Sequence, residues 1–369
     1  MRIGILTSSR ADFGIYLPLI KELKNDNFFE ISLIVFGTHL SKEHGYTIDE
    51  IYQNGFTPKF ILETIYFGDS PLGIAKSIST TLNQFNEFWS YNYDSFDLVL
   101  CLGDRYEMFA AVASGIPFGV KYGHIHGGET TEGAIDNIYR HSISLASHIH
   151  FTATDIFSER VKSLLKNNEY IFTVGSLSLD GINKTTYLSE IDFLEKWKVD
   201  LRIPSVLVTV HPETVAFGDV ENHCNELSKI LIELSKTYQI IITMPNADTN
   251  STLIRNMIER DLRLKENIFI FENLGKQSYF SAMKYCSFLL GNTSSGIIEA
   301  ASFNRYVIDL GDRQKGRLIS DNVYRANYKF NDIMDCVEKI VNKNYFFNGE
   351  NLYFKQDVAL NIINILKSL

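Results

Sequence analysis

Short apolar runs alternate with amphipathic stretches along most of the chain. The runs are Arg2–Thr7, Ile31–Gly37, Asp97–Gly103, Phe118–His126 and Ile149–Thr154, then Val206–His211, Gln239–Met244, Ile268–Phe271, Phe288–Gly291 and Tyr306–Leu310. Between them lie helical patterns such as Tyr16–Asn25, Ile135–Ser147, Glu221–Lys236 and Leu253–Asp261. Repeated strand, helix and strand, with near-continuous apolar strands, predict an α/β protein whose parallel sheets are covered on both faces. The rhythm pauses between Gly175 and about Pro204, where the chain turns polar and mixed, and a linker between two halves is expected there. Ligands of open parallel sheets bind beyond the carboxyl ends of the strands. Residues just after each strand are therefore the candidates for function.

The length of 369 residues fits two domains of ordinary size. Apolar residues make up 45% and charged residues 21%, enough to bury real cores. The net charge of -9 disfavours a nucleic-acid or anionic-membrane surface, yet leaves room for a local basic pocket. Cys101, Cys224, Cys286 and Cys336 are widely spaced with no CxxC pair, so no zinc site or disulfide frame is expected, and Cys101 and Cys286 read as core residues. No apolar run approaches the roughly 20 residues of a spanning helix, and the first residues carry no signal pattern. A cytoplasmic protein without membrane or nucleic-acid partners is expected.

The post-strand segments carry the chemistry. Thr7–Gly14 (TSSRADFG) offers Arg10 and Asp12 at a helix start, read either as an anion or base contact or as an ordinary capped helix with a surface arginine. Asp104 and Arg105, in GDRYE, sit at the end of another strand. Asp104 is a candidate proton carrier and Arg105 an anion holder; the alternative is an Asp helix cap with an exposed Arg105. The densest segment, His124–His141 (HIHGGETTEGAIDNIYRH), packs three histidines, Glu129, Glu132, Asp136 and Arg140 around paired glycines. Asp136 and Arg140 are four apart on a helix and can pair. His124 and His126 alternate along a strand and make poor co-ligands for a metal. HGGE is similar to the oxyanion loop of esterases, but no GxSxG elbow accompanies it, so acyl transfer is set aside.

In the second half, His211 follows a strand as an acid/base or ligand candidate, and Asn246 and Asp248 lie in another strand-end loop. Gly291–Ala300 (GNTSSGIIEA) gives the sharpest phosphate signal. Backbone N–H groups with Ser294 and Ser295 can face a diphosphate, and Glu299 a ribose diol, although an ordinary Ser cap is the alternative. It lacks the GK[ST] ending of a Walker A loop. Gly311–Arg317 (GDRQKGR) places Arg313, Lys315 and Arg317 within five positions, either an anion site or a solvated charge run.

The ordered set SRADFG, GDRYE, HIHGGE with IDNIYRHS, VGSL, HPET, NAD, GNTSSGIIE and GDRQKGR resembles the hydrolysing UDP-N-acetylglucosamine 2-epimerases of sialic- and legionaminic-acid pathways, over nearly the whole chain. The resemblance implies two Rossmann-like domains of the glycosyltransferase-B architecture around a central cleft. It implies an N-terminal sugar and catalytic domain (1–180) and a C-terminal nucleotide domain (200–350). It also implies a tail at 351–369 whose helix, Val358–Leu369, crosses back to the first domain. It implies elimination of UDP to a glycal and rehydration, without metal or other cofactor, in a homodimer or homotetramer. Matched by position, Asp104 and Asp136 are acid/base carboxylates. The family's HIEGGE glutamate is His126 here, so His126 or Glu129 is left to transfer a proton. His211 matches a diphosphate or proton-path residue. Arg10, Asn246, Ser294, Ser295, Glu299 and Arg313 correspond to nucleotide contacts and Arg105 and Arg140 to substrate-site positions, and Asp12 and Arg317 join them as substrate- or nucleotide-binding candidates. The HIHGGE variant is similar to a branch acting on UDP- or GDP-linked diacetamido sugars (N,N'-diacetylbacillosamine). A glycosyltransferase, a non-hydrolysing epimerase and an inactive sugar-nucleotide sensor are the rival readings.

Overall fold

The structure, a computed structural model, describes residues 1–42, 45–64, 67–68, 70–213, 220–245 and 251–369. The chain forms two compact units. The first holds residues 1–129, 136–181 and 353–369, and the second holds residues 130–135 and 182–352.

The first unit is built on strands β1 (Arg2–Thr7), β2 (Glu30–Val35), β3 (Phe60–Ile61), β4 (Leu98–Leu102), β5 (Tyr122–Ile125), β6 (Ile149–Thr152) and β7 (Ile171–Thr173). They form a sheet of order β3-β2-β1-β4-β5-β6-β7, and every recorded pairing is parallel. Alternation along the strands explains the two layers. Ile3, Ile5, Leu98, Leu100 and Leu102 join a core under the helices Arg10–Asn25 and Val358–Ser368. Leu6, Val99 and Cys101 face the opposite core of Phe85, Phe88, Trp89 and Met108. The C-terminal helix lies in the first core through Val358, Ala359, Ile362, Ile363 and Leu366. Its start is capped from a distance, because the Val358 N–H donates to the Asp180 carboxylate at 2.9 Å.

The second unit carries β8 (Ser205–Thr209), β9 (Gln239–Thr243), β10 (Ile268–Phe271), β11 (Phe288–Gly291), β12 (Val307–Leu310) and β13 (Val323–Ala326). Their order is β10-β9-β8-β11-β12-β13, with parallel pairing. Register sets Thr209 against both Thr243 and Gly291, so three strands end at one level. Gly291 is required there, since a Cβ would sit 1.9 Å from the Thr209 carbonyl oxygen.

The pattern reading differs at a few elements. The polar 175–204 stretch contains a helix, Glu190–Trp197, closed by a capping box between Ser189 and Asp192. The Pro71–Asn92 helix had no counterpart in the apolar periodicity. Its buried face includes Ser77 and Thr81, whose hydroxyls donate to the carbonyls one turn back and so blend into an otherwise apolar stripe. All four cysteines are buried and free. Among the described residues no helix is long and apolar enough to cross a membrane.

Truncating Ile363 to Ala should lower stability by about 2–5 kcal/mol through the cavity it leaves. Urea unfolding checks this; an unchanged midpoint would remove the C-terminal helix from the core.

Candidate functional site

In the first unit the post-strand residues of β4 and β5 meet on one helix. Arg105, not Asp104, occupies the N-cap of the helix Tyr106–Gly115, and it makes no side-chain cap bond. Asp104 is thus released from capping, and its partly exposed carboxylate accepts a hydrogen bond from Arg140 Nη2. Arg140 lies on the helix Asp136–Ala146 with its side chain 3% exposed. Its Nη1 donates to the His126 carbonyl at 2.6 Å and lies 3.7 Å from Glu129 Oε2. The spacing along the helix pointed to Asp136 as the partner of Arg140. The residues on its guanidinium are instead Asp104, Glu129 and the His126 backbone. Asp136 opens the same helix, half-buried, one turn before Arg140.

His126 and Glu129 close this network from below. His126 Nδ1 is 2.8 Å from Glu129 Oε1, and both side chains are buried. The paired glycines make the turn possible. A Cβ on Gly127 would press on His124 and Ser144, and one on Gly128 would lie 2.3 Å from the Phe157 carbonyl oxygen. His124 is a satisfied core residue, bonded to Ser144 Oγ at 3.0 Å and the Gly103 carbonyl at 2.9 Å.

A second cluster follows β1. Ser9 caps the helix Arg10–Asn25, and Asp12 accepts from the Ser8 N–H (3.0 Å) and hydroxyl (2.7 Å). Burial raises the Asp12 carboxyl, and the charge of Arg105 opposes that rise. Arg105 is not the exposed residue of the capping alternative. It forms a bidentate pair with Glu107 at 2.9 and 3.2 Å, and despite its burial the charges of Glu107 and Asp12 hold it firmly protonated. Arg10 is partly exposed, 3.7 Å from Glu50.

In the second unit Asn292 is the hub. Its side-chain oxygen accepts the His211 N–H at 2.7 Å, while its Nδ2 donates to the His211 carbonyl at 2.8 Å, extending the β8–β11 pairing past the strand ends. The Asn292 carbonyl accepts from Arg313 at 3.1 Å and Gln314 at 2.8 Å. Thr293 caps the short helix Ser294–Ile298, whose Ser295 N–H it receives at 3.4 Å; Ser294 and Ser295 are half-buried and Glu299 is buried. Of the basic trio only Lys315 is exposed. Asn246 and Asp248 lie outside the described residues.

Sequence reasoning missed Glu213 and Asp309. Glu213 Oε1 accepts the Asp312 N–H at 2.9 Å, tying β8 to the basic loop. Asp309 is 1% exposed on β12, and burial pushes its carboxyl up to about 7 against the pull of Arg325, Arg313 and Arg317. The signal was a carboxylate inside the apolar run VIDL. Residues 130–135, from the His-rich block, belong to this unit: the Glu132 N–H donates to the Lys315 carbonyl at 2.8 Å, and a Cβ on Gly133 would lie 2.3 Å from the Asp312 carbonyl oxygen. Among the described residues no cluster of three or more His, Cys, Asp or Glu suits a metal.

The family model described as UDP-N-acetylglucosamine 2-epimerase matches residues 21–367. The chain belongs to that family. A GDP/UDP-N,N'-diacetylbacillosamine 2-epimerase (hydrolyzing) of Campylobacter jejuni is 33% identical over 347 residues, 93% of this chain and 88% of the relative. A UDP-N,N'-diacetylbacillosamine 2-epimerase (hydrolyzing) of Legionella pneumophila is 32% identical over 342 residues, 93% of this chain and 89% of the relative. The crystal structure of UDP-GlcNAc 2-epimerase from Neisseria meningitidis bound to UDP-GlcNAc matches with TM-score 0.82 at 17% identity, each chain covered in full. The α/β class, with two Rossmann-like units of the glycosyltransferase-B type, is therefore that of the epimerase family. Within it, the Asp104–Arg140 network and the Asn292 hub stand at strand carboxyl ends, where this class of sheet binds ligands.

The buried histidines set an acid limit. Burial depresses His124 to about 3 and His39 to about 4. As pH falls below about 6.5 the unfolded chain takes up these protons before the folded one, so stability drops until the folded values are reached. Urea midpoints should fall from about pH 7 to about pH 5, and His124→Asn should flatten the slope by up to about 1.4 kcal/mol per pH unit. An unaltered slope would contradict the buried neutral assignment.

Proposed function

We propose that the chain is a hydrolysing 2-epimerase of UDP-linked 2-acetamido sugars, converting UDP-N-acetylglucosamine and water to N-acetylmannosamine and UDP. The observation that carries this reading is the partly exposed Asp104 carboxylate held by a buried arginine at the end of β4, in a chain of this family. A carboxylate fixed at a strand end can receive a proton from C2 of the sugar as the C1–O bond to UDP breaks, giving a glycal. Asp136, at the start of the helix carrying Arg140, is the second proton carrier. Water then adds at C1 and a proton returns to C2 from the opposite face, inverting that centre.

Arg140 and Arg105 are assigned to the sugar side. Arg10, Asp12, His211, Ser294, Ser295, Glu299, Arg313 and Arg317 are assigned to the nucleotide and its diphosphate, which the cationic Gly311–Arg317 loop and the Thr293–Gly296 turn suit chemically. A second reading, UDP-N,N'-diacetylbacillosamine as substrate, is favoured by the names of the Campylobacter and Legionella relatives.

Incubation with the two UDP-sugars, read by mass spectrometry, should release UDP and a manno-configured free sugar. In deuterated water that sugar should carry deuterium at C2; protium at C2 excludes elimination. Asp104→Asn should cut turnover by about 100-fold or more while nucleotide binding, followed by calorimetry, persists. Full activity in that variant would refute the assignment of Asp104.

A further inference from the structure

We propose that His126 is a positioning residue and not a proton carrier: its ring is locked as the neutral Nδ1–H tautomer between Glu129 and the Leu177 amide, and through Glu129 and Arg140 it fixes the direction of the Asp104 carboxylate. The proposal rests on the epimerase reading for what Asp104 does. The state of the ring itself stands on geometry alone.

The Leu177 N–H points at His126 Nε2 over 3.3 Å. A backbone amide nitrogen only donates, so Nε2 is the accepting nitrogen, and the Ser176 hydroxyl, 3.5 Å from the same nitrogen, is placed to be a second donor to it. The ring's single proton then sits on Nδ1, 2.8 Å from Glu129 Oε1, which accepts it. The other tautomer would set two N–H groups against each other at one end and two lone-pair atoms at the other. A doubly protonated ring would keep the first of these clashes. Both nitrogens are engaged, and the residue is 7% exposed.

The backbone of His126 does separate work. Its N–H continues the sheet by donating to the Phe151 carbonyl at 2.9 Å. Its φ of 64° is left-handed, a conformation that non-glycine residues seldom hold without a compensating contact. Its carbonyl leaves the sheet and receives Arg140 Nη1 at 2.6 Å. Ring and carbonyl therefore reach the same guanidinium by two routes, one direct and one through Glu129. That guanidinium in turn holds Asp104.

The amide that sets the tautomer is itself braced. The Ser176 N–H donates to the Tyr353 carbonyl at 2.9 Å, and Tyr353 is fully buried beside Phe157. Gly175, at φ 94°, lies so close to Lys355 that a Cβ would come within 2.7 Å of that side chain. The segment at 353–355 thus reaches the catalytic carboxylate through Ser176, Leu177, His126, Glu129 and Arg140. On this account the proton transfers at C2 fall to Asp104 and Asp136.

The test uses the full chain labelled with ¹⁵N-histidine. Long-range ¹H–¹⁵N correlation, with the His126 signals identified by their loss in His126→Asn, should show a protonated Nδ1 and a bare Nε2. An Nε2–H tautomer, or a ring carrying a proton on both nitrogens, overturns the proposal. The second arm measures UDP release for His126→Asn, whose amide N–H can replace the Nδ1–H toward Glu129, and for His126→Leu, which cannot donate. The Asn variant should keep kcat within about tenfold of wild type with both limbs of its pH profile in place, and the Leu variant should lose about 100-fold in kcat with KM within about threefold. Equal losses in both variants, or a missing pH limb in the Asn variant, would make His126 a proton carrier. If the wild-type chain turns over neither sugar nucleotide, the epimerase reading fails while the spectrum still decides the tautomer.

Discussion

A guanidinium buried inside a protein must be surrounded by acceptors, because leaving it unpaired costs several kcal/mol. Arg140 imposes that requirement on the first unit. It draws in the carboxylates of Asp104 and Glu129 and the carbonyl of His126, residues from the ends of β4 and β5. The sheet brings those ends together, and the helix Asp136–Ala146 supplies the cation. A parallel sheet with helices on both faces is therefore what lets groups 36 residues apart in sequence form one charge network. The same network leaves part of Asp104 open to solvent while Glu129 and His126 are closed off.

The second unit solves its own problem with an amide. Asn292 copies a backbone strand residue at the point where the β8–β11 ladder ends, so the turn into the Ser294–Ile298 helix is fixed on both sides. Its carbonyl then receives Arg313 and Gln314, orienting the start of the basic loop. Asp309 and Glu213 lie among the cations and N–H groups of that loop, which is why a run of three positive charges can be largely folded inward.

Much of this was legible in the sequence. Arg2–Thr7, Ile268–Phe271 and Phe288–Gly291 were read to the residue, because apolar runs with sharp polar ends mark doubly covered strands. The edge strands β3, β7 and β13 were not read, being two to four residues long and only partly buried. Candidate residues were found by their position after strands, which is how Asp104, Glu129 and His211 came forward. Their pairing was harder. Helical spacing suggested an Asp136–Arg140 pair, but a tertiary contact of 36 residues' separation claimed Arg140, and nothing in local spacing encodes that. Capping rules likewise suggested Asp104 as a cap, when Arg105 holds the position. The sequence also gave no means of seeing that His126 has both ring nitrogens engaged, since one partner lies 51 residues away.

The central claim is that Arg140 and Glu129 act as one unit rather than as two independent polar residues. A double-mutant cycle on urea unfolding, with Arg140→Gln, Glu129→Gln and the pair, tests it most directly. A coupling of about 1 kcal/mol or more is expected, the double variant being less destabilised than the two single losses added together. Additive losses would contradict it.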